Sequence, residues 1–147
     1  FNPRFIELSA DTNIKVLSAL IKKIFYLLKK HKIPKNKAKI LILGISYKKN
    51  VDDLRESAAI RLLDILLKKR IKNISFSDPH IKNSINTRAL TFNSRGINIT
   101  PQNLSKFDIS ILMTDHDKFN YKMIYQYSKN ILDTRGRFKV DSKVTRG

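Results

Sequence analysis

Short apolar runs separated by helix-patterned segments constrain this chain more than any other feature. KILIL (Lys39–Leu43), NISFS (Asn73–Ser77) and the run at 109–113 read as buried strands. Between the first two, Ala59, Leu62, Leu63, Leu66 and Leu67 recur at helical spacing, with Ser57 placed to cap the helix. Lys68, Lys69 and Arg70 at its end suit the negative helix terminus. Strands alternating with helices predict an α/β domain with a parallel sheet covered on both faces.

Upstream, Asn2 and Pro3 have the form of a helix start, Asn as cap and Pro at the first helical position. Phe5, Ile6, Leu8, Ile14, Leu17, Leu20, Ile21, Ile24, Phe25 and Leu28 then keep a helical period to about Lys30. This helix is long for a globular domain, and dimerisation through its apolar face is expected. Residues 31–37, with Pro34 among them, read as a linker. The chain thus divides into a linking and dimerisation helix with its linker (1–37) and a domain (38–147). Within the domain, residues 80–96 are expected to be loop and 97–99 a short strand. Residues 101–106 should form a short helix, and 121–127 a helix with Met123 and Ile124 inward. Residues 130–132 lead into Asp133-Thr134-Arg135-Gly136, and the tail after Phe138 is basic and unpatterned.

Ligands of parallel sheets bind outside the carboxyl ends of the strands. Charged clusters fall there: GISYKKNVDDLRES (44–57), Thr114-Asp115-His116 and Asp133-Thr134-Arg135, and folding should bring them to one rim. In the first cluster Gly44 permits a positive φ or close backbone approach. Lys48, Lys49 and Arg55 can reach an anion, helped by the free N–H groups of the next helix. Neither G-x-G-x-x-G nor G-x-x-x-x-G-K-[ST] occurs, so such a cradle would be made by side chains as much as by backbone. The competing reading pairs Asp52, Asp53 and Glu56 with those cations in a solvated loop, and spacing alone leaves both open. Arg135 can hold a diphosphate or carboxylate bidentately, or pair with Asp133 or another rim acid. Asp115 and His116 could be an acid/base pair, but capping the next turn is the favoured reading.

With 30 Lys+Arg against 12 Asp+Glu the net charge is +18, which suits an anionic partner. The cations are scattered rather than striped, however, and an AT-rich genome would produce the same Lys, Ile and Asn excess. Nucleic acid is disfavoured because the aromatics form no stacking platform and no nucleic-acid motif is present. The absence of Cys excludes disulfides, thiolate metal sites and a cysteine nucleophile within this chain. His31, His80 and His116 lie far apart without ligand spacing and are expected at the surface, with no metal. No apolar run approaches the roughly 20 residues of a membrane span, and no signal peptide is visible, so a cytoplasmic protein is expected. The chain begins at Phe1 rather than Met, as a fragment or a trimmed start would.

The motifs themselves are familiar. GISYKKNVDDLRES resembles the signature that opens the carboxy-terminal, UDP-sugar-binding domain of the UDP-glucose/GDP-mannose dehydrogenase family. FIELSADTN (5–13) resembles the start of the long helix joining that family's two domains. SDPHI (77–81), LTFNSRGINITPQNL (90–104), TDHDKFNY (114–121) and ILDTRGRF (131–138) follow in family order. The variants N-V-D-D-L-R-E-S, T-D-H-D-x-F-x-Y and L-D-T-R-G look most like the branch that oxidises UDP-N-acetylhexosamines, UDP-N-acetylglucosamine especially.

The resemblance implies a Rossmann-like domain preceded by a long interdomain helix that dimerises. It implies a four-electron oxidation at C6 of a UDP-sugar, for surface polysaccharide biosynthesis, with NAD as cofactor. By motif position, Tyr47 and Lys48 would contact the substrate, Lys48 near the reacting sugar as the catalytic residue. Arg135 would bind the substrate, and Arg55 would reach the NAD pyrophosphate across the interdomain cleft. Ala58 stands where the family has Pro at the first helical position, a small loss since Ala is a good helix former. The catalytic Cys and the NAD-binding domain are not in these residues, which by the resemblance are the carboxy-terminal part of an enzyme and cannot oxidise the sugar alone. UDP-N-acetylmannosamine and UDP-glucose are alternative substrates. A basic nucleic-acid module and an inactive gene remnant are alternatives of other kinds.

Overall fold

The computed structural model describes residues 3–88 and 90–147, with side chains described from residue 14 onward. Helix α1 spans Pro3–Lys30 and strand β1 Lys39–Leu43, followed by α2 (Ala58–Lys68) and β2 (Asn73–Ser77). A small hairpin, β3 (Ile85–Asn86) with β4 (Thr91–Phe92), precedes α3 (Pro101–Ser105) and β5 (Ile109–Leu112). Helix α4 (Tyr121–Tyr127) and strands β6 (Ile131–Asp133) and β7 (Val144–Arg146) complete the chain. The capping role of Asn2 and the side chains of Phe5, Ile6 and Leu8 lie outside the described residues.

Strands β2-β1-β5-β6-β7, in that order, form one parallel sheet. Its faces are built by alternation. Ile40 and Ile42 of β1, Phe76 of β2 and Ile111 of β5 join the apolar cluster under α1 and α2. Leu41, Leu43, Leu112 and Ile131 join the opposite cluster with Leu104 of α3 and Ile124 of α4. Each such side chain, fully buried, contributes about 1.5–3 kcal/mol. Helix α1 buries Leu17, Leu20, Ile21, Ile24, Leu27 and Leu28, while Ile14, Val16 and Tyr26 are 60%, 60% and 62% exposed.

Register decides where the rim lies. Leu43 pairs with both Ser77 and Leu112, Leu112 with Asp133, and Asp133 with Arg146. The carboxyl ends of the strands therefore fall in one row. The chain runs outward from β1 to β2 and then crosses back to β5 on the other side of β1. That reversal opens a crevice between the loops after β1 and β5, the usual ligand position in such sheets.

Several expectations are corrected. The tail after Phe138 is not patternless, because residues 144–146 add the fifth strand. Residues 80–96 contain the β3–β4 hairpin. Residues 97–99 form no strand, although the Ile97 N–H donates to the Phe76 carbonyl at 2.8 Å. Leu67 is only half-buried, and Ile60 takes a core place in α2. Met123 is half-buried while Ile124 is fully so.

Candidate functional site

The site is built on the rim, starting at Gly44. Its φ is +80°, and a Cβ there would stand 2.3 Å from the Thr114 carbonyl oxygen, so only glycine lets the β1 and β5 loops approach this closely. Beyond it, the Ile45 and Ser46 N–H groups donate to Asp78 Oδ2 at 2.8 and 3.3 Å. Asp78 Oδ1 accepts from the His80 N–H at 2.8 Å. The Thr114 hydroxyl donates to the Ser46 carbonyl at 2.8 Å. Ser57 accepts from the Ile60 N–H as the cap of α2 and donates to the Ile45 carbonyl at 2.6 Å. The loop from 44 to 57 is thus tied to β2, β5 and α2 at once.

Histidines depart most from expectation. His31 is exposed, but His116 is completely buried and His80 half-buried. His116 Nε2 lies 2.8 Å from Asp78 Oδ2 and 2.9 Å from Ser46 Oγ, and its Nδ1 accepts from the Asn50 N–H at 2.8 Å. Its side chain does not cap the next turn, which its carbonyl closes by accepting from the Phe119 N–H at 3.3 Å, and α4 is capped by Asn120, which accepts from the Met123 N–H. Burial raises the Asp78 carboxyl, but hydrogen bonds from His116, Ile45 and His80 outweigh it and hold the group below its ordinary range.

A second buried acid organises the β6 end. Asp133 accepts from the N–H groups of Arg135, Gly136 and Phe138 at 2.8–2.9 Å and from Arg146 at 2.7 Å. With Asp133 occupied, the Arg135 side chain turns instead to Asp115, 3.7 Å away. The solvated-loop pairing is realised only by Arg55 with Asp53, since Lys49 meets Asp117 at 3.9 Å and Glu56 meets Arg61 at 3.0 Å.

Two clefts flank the 44–57 loop. One, of about 550 Å³, lies between α1 and the rim and is lined by Tyr47, Thr114, Thr134 and Arg135, with Leu20 and Lys23 from α1. The other, of about 960 Å³, is lined by Arg55, Arg61 and Arg88 together with Asp52, Asp53 and Glu56. Among the candidate residues, Tyr47 and Arg135 meet in the first cleft and Arg55 faces the second. Lys48 is exposed, lines neither cleft and has no ion pair among the described residues. Sequence reasoning missed Ser46, Asn50, Asp78 and His116 as supports of this loop. Their motifs, SDPH and TDH, were visible, but nothing in their spacing linked them to one another.

Parallel strands and a switch-point crevice rimmed by charged loops define a Rossmann-like domain. The sequence model of the UDP-glucose/GDP-mannose dehydrogenase family, UDP binding domain, matches residues 41–143, and the chain belongs to that family. It is 35% identical over 101 residues to an NDP-N-acetyl-D-galactosaminuronic acid dehydrogenase of Ralstonia solanacearum, covering 66% of this chain and 22% of that protein. It is 30% identical over 118 residues to a UDP-N-acetyl-D-mannosamine dehydrogenase of Methanococcus vannielii, covering 80% and 25%. The chain thus spans about a quarter or less of the length of these curated relatives. Its fold is that of a UDP-D-ManNAc dehydrogenase from Pyrococcus horikoshii (TM-score 0.71, 22% identity, 96% of this chain and 32% of that one). The UDP-N-acetyl-mannosamine dehydrogenase of Staphylococcus aureus is equally similar in fold (TM-score 0.70, 21% identity, 99% and 33%). Among the described residues no helix is long and apolar enough to cross a membrane.

Proposed function

We propose that this chain is the UDP-sugar-binding, carboxy-terminal part of an NAD-dependent nucleotide-sugar 6-dehydrogenase. The observation that carries the reading is the 44–57 loop standing between two arginine-bearing clefts, with Tyr47 and Arg135 in one and Arg55 in the other, where Arg61 and Arg88 stand beside Asp52, Asp53 and Glu56. Tyr47 and Arg135 bind the UDP-sugar in the first cleft, and Lys48, held at the loop apex without an ion pair among the described residues, serves the reacting sugar. A dianionic diphosphate needs fixed cations, and a guanidinium supplies them bidentately. The Arg55 side chain is 89% exposed and bonded at two atoms to Asp53, so its guanidinium fits a pyrophosphate that displaces Asp53. NAD, held mainly by a preceding domain, would supply the hydride acceptor. Residues 1–37 serve as the linking and dimerisation helix with its linker, and 38–147 as the UDP-sugar-binding domain. The exposure of Ile14, Val16 and Tyr26 supports a homodimer through α1, to be checked by light scattering.

The substrate is read as a UDP-N-acetylhexosamine, from the 50–57, 114–121 and 132–136 variants, with UDP-N-acetylglucosamine as the named sugar. The relatives' names point to N-acetylated mannosamine and galactosaminuronic sugars, which keeps the acetamido class and varies the epimer. Calorimetric titration with UDP, UDP-glucose and the UDP-N-acetylhexosamines tests this. UDP should bind, and Arg135→Ala should weaken it about tenfold or more. No binding by the folded chain, together with no loss on Arg135→Ala in the full-length enzyme, would refute the assignment.

A further inference from the structure

The buried ring of His116 makes contacts that neither the fold nor substrate contact requires. Its protons can be counted. Nδ1 accepts from the Asn50 N–H, so it carries no hydrogen. The Ser46 hydroxyl gives its hydrogen to the Lys48 carbonyl at 3.1 Å, so it can only accept from the ring. The ring's single hydrogen is therefore on Nε2, shared between Asp78 Oδ2 and Ser46 Oγ. Asp78 in turn holds Ile45 and Ser46 by their N–H groups. One imidazole joins both ends of the 46–50 segment to the end of β2.

The far end of that segment is strained and heavily pinned. Asn50 has φ of 65°, in the left-handed region. It is held by the His116 bond and by two more to the neighbouring residue. Its Nδ2 donates to Asp117 Oδ2 at 2.8 Å, and its Oδ1 accepts from the Asp117 N–H at 3.0 Å. Between the pins stand Tyr47, whose N–H donates to the Asp53 carbonyl at 2.7 Å, and the exposed Lys48.

We infer that His116 is a positioning residue: through Asp78, Ser46 and Asn50 it fixes the 46–50 segment that sets Tyr47 in the rim cleft. At 0% exposure it cannot touch a ligand, and it acts through the loop. The inference rests on the UDP-sugar reading of that cleft. It also explains a left-handed Asn at this position, since the αL turn aims the Asn50 N–H at Nδ1.

The test uses the chain with His116→Gln, which keeps a donor near Nε2 for Asp78 but removes the acceptor for Asn50, and with Asn50→Gly, which keeps the αL backbone and its bond. Amide exchange is followed at Tyr47 and at Ile42 of β1, alongside titration with UDP. His116→Gln should speed exchange at Tyr47 and weaken UDP binding, each about tenfold, with Ile42 unchanged. Asn50→Gly should do the same to a smaller degree. Equal acceleration at Tyr47 and Ile42, or no change at Tyr47, would overturn the inference. If the unaltered chain binds no UDP, the reading of the cleft fails, while the exchange comparison still decides whether His116 positions the loop.

Discussion

Two buried aspartates, at the ends of neighbouring regions of one rim, do the same work with different partners. Asp78 after β2 is 3% exposed and Asp133 at the end of β6 is 0%. Both gather backbone N–H groups, Asp133 from the loop that follows it and Asp78 from His80 and from the loop after β1. Asp133 is balanced by Arg146, a permanent cation whose side chain is 42% exposed, from the adjacent strand. Asp78 instead accepts from an imidazole with no exposure, from a loop two strands away. The β6 end is therefore a fixed corner that frees Arg135 to face the cleft. The β1–β5 crevice is a polar assembly in which one loop depends on another.

The largest expected effect is at the fixed corner. Asp133→Ala leaves three loop N–H groups without their acceptor and should cost about 3–5 kcal/mol by denaturant unfolding. A cost under about 1 kcal/mol would mean that the corner is held by Phe138 and Val144 packing instead. Asp78→Asn should cost less, about 1–3 kcal/mol, because the amide keeps an acceptor and the shape. It should also flatten the acid limb of stability. The folded Asp78 carboxyl lies below its ordinary 3.8, so its contribution is present above about pH 4 and lost as pH falls through the folded value. An acid limb identical in Asp78→Asn would remove that group from the account. The smallest effect on stability belongs to Arg135→Ala, within about 0.5 kcal/mol, since its ion pair with Asp115 is long and half exposed. Its large effect is expected on UDP affinity alone.

Much of this architecture was legible in the chain. KILIL, NISFS and the 109–113 run declared themselves because a strand buried on both faces must be apolar at successive positions. The convergence of the 44–57, 114–116 and 133–135 clusters was legible because parallel strands end on one side. Strand β7 was not, since three residues with one buried apolar side chain carry no period. The hairpin of two-residue strands escaped for the same reason. His116 was misread because burial of a polar ring depends on Asp78, 38 residues away, and on Ser46, 70 residues away. Arg135 was left open between two acids, and Arg146 decided the matter by taking Asp133.

The sequence by itself determined the α/β class, the capped α2, the row of charged loops and the family. These follow from periodicity, local capping chemistry and motif order, all short-range properties of the chain. Only the tertiary structure decided which acid holds which cation and that the 44–57 loop separates two clefts. It alone made His116 a buried support. Those outcomes depend on which strands become neighbours, and the reversal of strand order at β1 is what brings the β2 and β5 ends to the same loop.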